Sequence, residues 1–393
     1  MFKQDNISNT FKLPIEYNNN KKEITSDMKS DLELEVSKNV DKSLYHYVFN
    51  PNSTVSNIIA NKYNKYYTND KKYLTDTQKL ITNSTNVFLK NDEEISNKIY
   101  KLWEEIKNDE GFLERYQYVD IDYFKFLNNN DKFLQFLSIF NLTSPVLSLS
   151  FPIVMLFIPF LLIKMQDSRV TFQNYLKFLK IVIARNSIGN LIVNFTSVSL
   201  DKKLYLCMSA GLYLFQLYQN LSACVRFYKN IKKIHEHLFA FRDYIKTVVD
   251  NINKHLIISD SLDTYQEFNY TLREKKAILL ELNSKLANIT PYKMNTRKLA
   301  NIGQLMKCYY IVFDNKYYSE AVVYSMGFTG YIETLNNIQK NILNKEICQC
   351  IFTSKSTEFK DSYYPPLVKL NVVKLPLKLD VNESNLLNCP EAG

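Results

Sequence analysis

A mainly α-helical fold is predicted by three features of this 393-residue sequence. Glycine and proline are scarce, at 7 and 10 residues, which leaves little room for the tight turns of a many-stranded architecture and favours long helices. After residue 226, apolar residues recur at alternating spacings of four and three over two long stretches, the pattern of a heptad seam. Ahead of them lie two long charge-free runs. The expected architecture is a helical core with a long antiparallel heptad lever arm and a short β-rich stub at the C-terminus.

Composition limits the function classes. Lys and Arg number 49 against 40 Asp and Glu, a net charge of +9. Such a surplus suits anionic lipid or nucleic acid and falls short of the bias of a dedicated nucleic-acid binder. The six cysteines, Cys207, Cys224, Cys308, Cys348, Cys350 and Cys389, form no CxxC. His235 and His237 are alternate positions of a basic helix and point to different faces. No metal site and no catalytic residue is predicted, and the thiols read as free in a reducing compartment. Met1 to Ser30 is polar and charged, without the apolar core of a signal peptide, so an intracellular location is expected.

Taken in chain order, residues 1–90 form a polar, Asn-rich variable N-terminal region. Asn18-Asn19-Asn20-Lys21-Lys22 reads as flexible, and Leu44–Phe49 is an apolar island closed by Pro51. Residues 91–225 form a helical region. It opens with Ile99, Leu102, Trp103 and Ile106 at helical spacing and contains a predicted membrane hairpin, 133–163 and 204–225. Its first arm carries no charge over 31 residues (163 − 133 + 1), where a bilayer crossing needs about 20. Pro145, Pro152 and Pro159 recur in it every seven residues. Mid-helix proline costs about 3 kcal/mol in a soluble helix, and membrane helices tolerate it better.

The second arm is charge-free between Lys203 and Arg226, although it contains Gln216, Gln219 and Asn220, which suit a soluble helical pair equally well. Between the arms, Lys164, Arg169, Lys177, Lys180, Arg185, Lys202 and Lys203 face only Asp167 and Asp201. Phe172, Tyr175, Leu176, Leu179, Ile181 and Val182 alternate with these cations as in an interfacial helix, and the charge excess predicts a cytoplasmic loop.

In residues 226–346 the seam runs Phe227, Ile231, Ile234, Leu238, Phe241, Ile245, Val248, Ile252. It resumes after Ser259-Asp260-Ser261 as Tyr265, Phe268, Leu272, Leu279, Leu282, Leu286, Ile289. Two such helices with a short break predict an antiparallel pair. Further helices follow through Leu299, Ile302, Leu305 and Met306, then Ile332, Leu335, Ile338 and Ile342. From residue 347 the period shortens, and Leu367–Leu370 and Val372–Leu375 read as strands in a 347–393 stub.

This order of elements, ending on Tyr363-Tyr364-Pro365-Pro366-Leu367 and Cys389-Pro390-Glu391-Ala392-Gly393, resembles the MutS family of ATPases. It is most similar to the divergent MutS-like proteins of large, AT-rich DNA viruses. Ser144–Leu149, Ile188-Gly189 and Arg226–Asn230 share that likeness. The resemblance covers about 225–393 by architecture and 363–393 by motif. It implies a DNA mismatch repair family protein in which ATP and Mg, bound by a C-terminal domain, drive the lever arms. It places Pro390, Glu391, Ala392 and Gly393 at the start of a phosphate loop. Cys389 stands where the family has Gly, and Glu391 where it has Asn. The Lys and hydroxyl of the loop do not follow, so neither hydrolysis nor a bound cofactor is expected of this chain. Phe112-Leu113-Glu114 matches the family's mismatch wedge by tripeptide alone and reads as a surface helical turn.

The expected function is therefore a membrane-associated MutS-like protein, with a membrane, DNA and a second copy paired through the helical arms as its candidate partners. Two alternatives stand beside it: a soluble mismatched-DNA-binding module gripping phosphates through 164–185 and 226–254, and a non-enzymatic membrane-anchored coiled-coil scaffold.

Overall fold

The structure, a computed structural model, describes residues 4–34, 43–84, 93–165, 171–185, 199–287, 289, 300–353, 356–363 and 374–380. It is mainly α, with little strand. The helices are α1 (Gln4–Thr10), α2 (Ser26–Asp31), α3 (Leu44–Phe49), α4 (Thr54–Lys62), α5 (Lys71–Asn83), α6 (Glu93–Lys107), α7 (Phe112–Arg115), α8 (Asp131–Met165), α9 (Phe172–Arg185), α10 (Leu200–Ser259), α11 (Gln266–Leu286), α12 (Ile302–Asp314) and α13 (Lys316–Leu343). Two antiparallel ribbons complete it. One pairs β1 (Lys21–Glu23) with β2 (Tyr66–Thr68), and the other pairs β3 (Ser356–Ser362) with β4 (Leu375–Asp380). The chain divides into two compact units. The first comprises Met1–Glu110, Phe239–Asn288 and Val312–Gly393, and the second Gly111–Leu238 and Ile289–Ile311.

The first unit is built around α13. Asn315 starts this helix by accepting from the backbone N–H groups of Tyr317 and Tyr318. Every residue from Ala321 to Leu335 is buried, so this part of α13 has neighbours on all sides and no solvent-facing side. Gly330 permits one of them: a Cβ there would lie 2.7 Å from the carbonyl oxygen of Val55, so α4 approaches closer than any side chain allows. Phe11 follows α1 and places its ring 5.0 Å from Tyr324. Residues 4–34 and 43–84 thus supply core side chains, including Ile7, Phe11, Leu13, Ile58 and Ile59. The Asn-rich stretch is likewise ordered locally. Asn18 closes a turn on the Asn20 N–H at 2.7 Å, and Asn18 and Asn20 both donate to Asp70, the N-cap of α5.

The heptad positions of α10 within this unit and those of α11 are buried, and the helices reverse where the break predicts. Ser259 donates to Asn269 at 2.9 Å, and the His255 and Phe268 rings lie 5.6 Å apart. A third helix shares the seam. Tyr244 reaches Ser325 and Thr329 of α13, Phe268 meets Tyr331, and Phe241 packs on Trp103 of α6. The arm predicted from the heptads is therefore part of a core. Beyond residue 347 the period does shorten, but the strands fall at β3 and β4. The predicted strand Leu367–Leu370 and most of Val372–Leu375 lie outside the described residues.

The second unit has an aromatic cluster at its base. Phe112 is buried, stacked on Tyr118 at 5.6 Å and close to Tyr116 and Tyr309. That placement corrects the surface-turn reading of Phe112-Leu113-Glu114, and a buried ring is not a wedge. His237 Nδ1 lies 3.1 Å from the Tyr309 hydroxyl. Gly303 lets α12 touch α8, donating its N–H to Gln135 at 2.7 Å where a Cβ would collide with the Asp131 carbonyl.

Candidate functional site

The second unit carries the feature with most functional content, an apolar hairpin formed by α8 and the first part of α10. Three polar contacts hold it together. The Asn220 amide donates to Ser148 Oγ at 2.8 Å, the Tyr213 hydroxyl to the Ser148 carbonyl at 3.3 Å, and the Cys224 thiol to the Leu142 carbonyl at 3.4 Å. The Tyr213 contact follows from the prolines. Pro152 has no N–H to offer the carbonyl four residues earlier, which is that of Ser148, so a neighbouring helix satisfies it. Pro145 and Pro159 are themselves buried, and α8 is continuous through all three prolines.

The distribution of apolar groups is the reverse of a soluble protein's. Polar atoms meet inside the hairpin, while Phe136, Val146, Leu147, Leu149, Val154, Phe157 and Leu161 on α8, and Leu204, Met208, Leu212, Phe215 and Leu221 on α10, point outward. Phe136 is 70% exposed and Leu204 72%. Soluble monomers rarely show contiguous apolar patches beyond a few hundred Å². Among the described residues α8 alone is long and apolar enough to cross a membrane, over Asp131–Ser150. The α10 run differs because Gln216 and Gln219 are exposed on it.

The two runs match at one end only, and at the other the longer α8 run continues about two turns past the level of Arg226. The three contacts set the helices antiparallel, and at equal rise they bring Lys203 within about a turn of the level of Lys164. Between Lys203 and Arg226 the 22 charge-free residues (225 − 204 + 1) span about 33 Å, close to the ~30 Å core of a bilayer. Next to the other end, the 3₁₀ segment Asp122–Asn129 exposes Phe124, Phe126 and Tyr123, the last a residue type that collects at headgroup level. Helix α9 packs on α8 with Lys177 and Lys180 exposed. Long stems of this kind carry their charge to a nearby interface.

The first unit contains a cavity of about 380 Å³ lined by Asn6, Asn9, Thr10, Trp103, Lys107, Ser319, Glu320 and Val323. The Lys107 ammonium donates to the Phe313 carbonyl and to Ser319 Oγ, and lies 4.9 Å from the centre of the Trp103 ring. Burial lowers its pKa to about 8, with Asp314 opposing the shift. Phe313 lies in the last turn of α12, so this cation caps a helix C-terminus, a structural task that accounts for its position.

Of the predicted site residues, Pro390, Glu391, Ala392 and Gly393 lie outside the described residues. Their chemistry does not suit a nucleotide. A carboxylate at Glu391 repels phosphate. Among the described residues no cluster of His, Cys, Asp or Glu could hold a metal ion. Sequence reasoning missed the cavity and the Ser148–Tyr213–Asn220 contacts, although the four-residue offset from Pro152 to Ser148 was available as a signal. No protein-family model matches the chain, nor does any curated protein or solved structure.

Proposed function

We propose that this chain is a membrane-associated, MutS-like helical protein of the DNA mismatch repair family, held at a bilayer by the α8–α10 hairpin. One observation carries the membrane part. The hairpin joins its helices through Ser148, Tyr213 and Asn220, turns many apolar side chains outward, and brings Lys164 and Lys203 to nearly the same level at one end. Gln216 and Gln219 define what the bilayer must offer, because amides in lipid need neighbouring helices or headgroups as partners. The MutS-like part is supported by the order of elements and by the sequence resemblance at 363–393.

The test is fractionation of cells expressing the full chain, followed by alkaline carbonate extraction of the membranes. The protein should stay in the pellet and need detergent for release. A chain that is soluble and monodisperse without detergent overturns the membrane reading. If that soluble chain also prefers a mismatched over a matched duplex, the soluble DNA-binding alternative replaces it.

A further inference from the structure

We propose that the first turns of α10 beyond the hairpin form a docking stripe for anionic lipid headgroups, made of Arg226, Lys229, Lys232 and Lys233. The inference rests on the membrane reading above and adds to it a lipid class and a set of residues. Four cations fall within eight positions (226 to 233) directly after the charge-free run, with no carboxylate among them. Arg226, Lys229 and Lys232 are exposed, and Lys233 is half-buried. The nearest acid along the helix, Glu236, is 4.0 Å from Lys232.

The helix places the stripe where lipid can reach it. Phe227, Ile231, Ile234 and Leu238 are buried and define the inward face. At 100° per residue the four cations centre on the opposite side, so burying the seam turns them outward together. Their depth follows from the rise per residue. Lys229 lies about 4.5 Å beyond Arg226, and Lys232 and Lys233 about 9–10.5 Å beyond it. The screening length at physiological salt is about 8 Å, so Arg226 and Lys229 sit well inside the field of an anionic surface, and the other two near its edge. Duplex DNA is also polyanionic, but position favours headgroups, because the stripe starts where the charge-free run of α10 stops.

The decisive experiment uses the full chain in membranes of 70% phosphatidylcholine and 30% phosphatidylserine. The protein is extracted in mild detergent, and its retained lipid is counted by headgroup. The native chain should retain phosphatidylserine several-fold above its bulk share. Each engaged cation is worth about fivefold in local association, so the enrichment should fall in steps. R226Q/K229Q should remove most of it, K232Q/K233Q less, and R226K should keep it, since the interaction needs charge rather than a fork of donors. Glutamine preserves helix propensity at these positions, and carbonate resistance reports separately that the hairpin is still inserted. Retained lipid at the bulk ratio in the native chain, or undiminished enrichment in R226Q/K229Q/K232Q/K233Q, overturns the stripe and leaves the membrane reading standing. A soluble chain with no retained lipid overturns both. If the quadruple variant loses duplex DNA binding while its lipid ratio is unchanged, the stripe is a nucleic-acid contact and the proposal fails.

Discussion

His255 is fully buried on α10, with the rings of Phe268, Phe328 and Tyr331 within 5.8 Å of its own. Removal from water disfavours its charged form and lowers its pKa from 6.5 to about 3. The sign follows from proton counting. Between about pH 6.5 and 3 the unfolded chain binds a proton at His255 and the native one does not, so stability is complete above 6.5 and falls as the pH drops through that window. The slope is about 1.4 kcal/mol per pH unit. His255→Asn removes this titration. Its stability relative to the native chain should therefore rise by about 2–3 kcal/mol between pH 6.5 and 4.5, measured by urea unfolding in mild detergent. A pH-independent difference would show that the ring is charged or hydrated in the native state. Nothing local in the sequence signals this residue. His255 sits among lysines and asparagines in the chain, and only the fold brings three aromatic rings around it.

At the scale of elements, the joint between α13 and α4 rests on one carboxylate. Glu333 accepts from the backbone N–H groups of Asn52 and Ser53 at 3.1 Å each, from Ser53 Oγ at 2.5 Å and from Ser56 Oγ at 2.7 Å. It supplements the box in which Ser53 and Ser56 cap α4, and places a negative charge at a helix N-terminus. Glu333→Ala leaves four donors without that acceptor in a buried site. It should cost about 3–5 kcal/mol, read as a shift in the unfolding midpoint, with Glu333→Gln intermediate because only its carbonyl still accepts. An unchanged midpoint for Glu333→Ala would mean that water replaces the carboxylate. Such a joint is illegible in a sequence, since its partners are some 280 positions apart. The helices were legible for the opposite reason: the seam from Phe227 to Ile289 repeats within each turn pair, and local period suffices to find it. What the period could not supply was the seam's partner. It predicts two helices facing each other, and although Ile332, Leu335, Ile338 and Ile342 mark a further helix, the all-round burial of Ala321–Leu335 hides which face meets the seam. The ribbon shows the converse limit, because Ser356–Ser362 has no apolar alternation and becomes a strand by pairing with Leu375–Asp380.

For the whole molecule, the same surface has opposite consequences in water and in lipid, and one substitution separates them. Val154 lies level with about residue 211 of α10, within about a turn of the middle of the charge-free run 204–225, and is 54% exposed. In water, Val154→Lys would exchange an exposed apolar group for a charged one, change stability by about 0.5 kcal/mol or less, and make the chain more soluble. In a bilayer the same lysine sits close to the midplane, too far from either end for its stem to reach headgroups easily. There it should cost about 2.5–3.5 kcal/mol of insertion free energy, roughly a hundredfold in the inserted fraction. Lys at Phe136, nearer the Arg226 end of the hairpin, should cost much less because its charge can reach the interface. An insertion reporter fused to Asp131–Met165 measures both. A depth-dependent penalty, large at 154 and small at 136, is what membrane insertion requires. Equal small effects at the two positions, with improved solubility of the full chain, would place this face against water or a protein partner and remove the bilayer from the function.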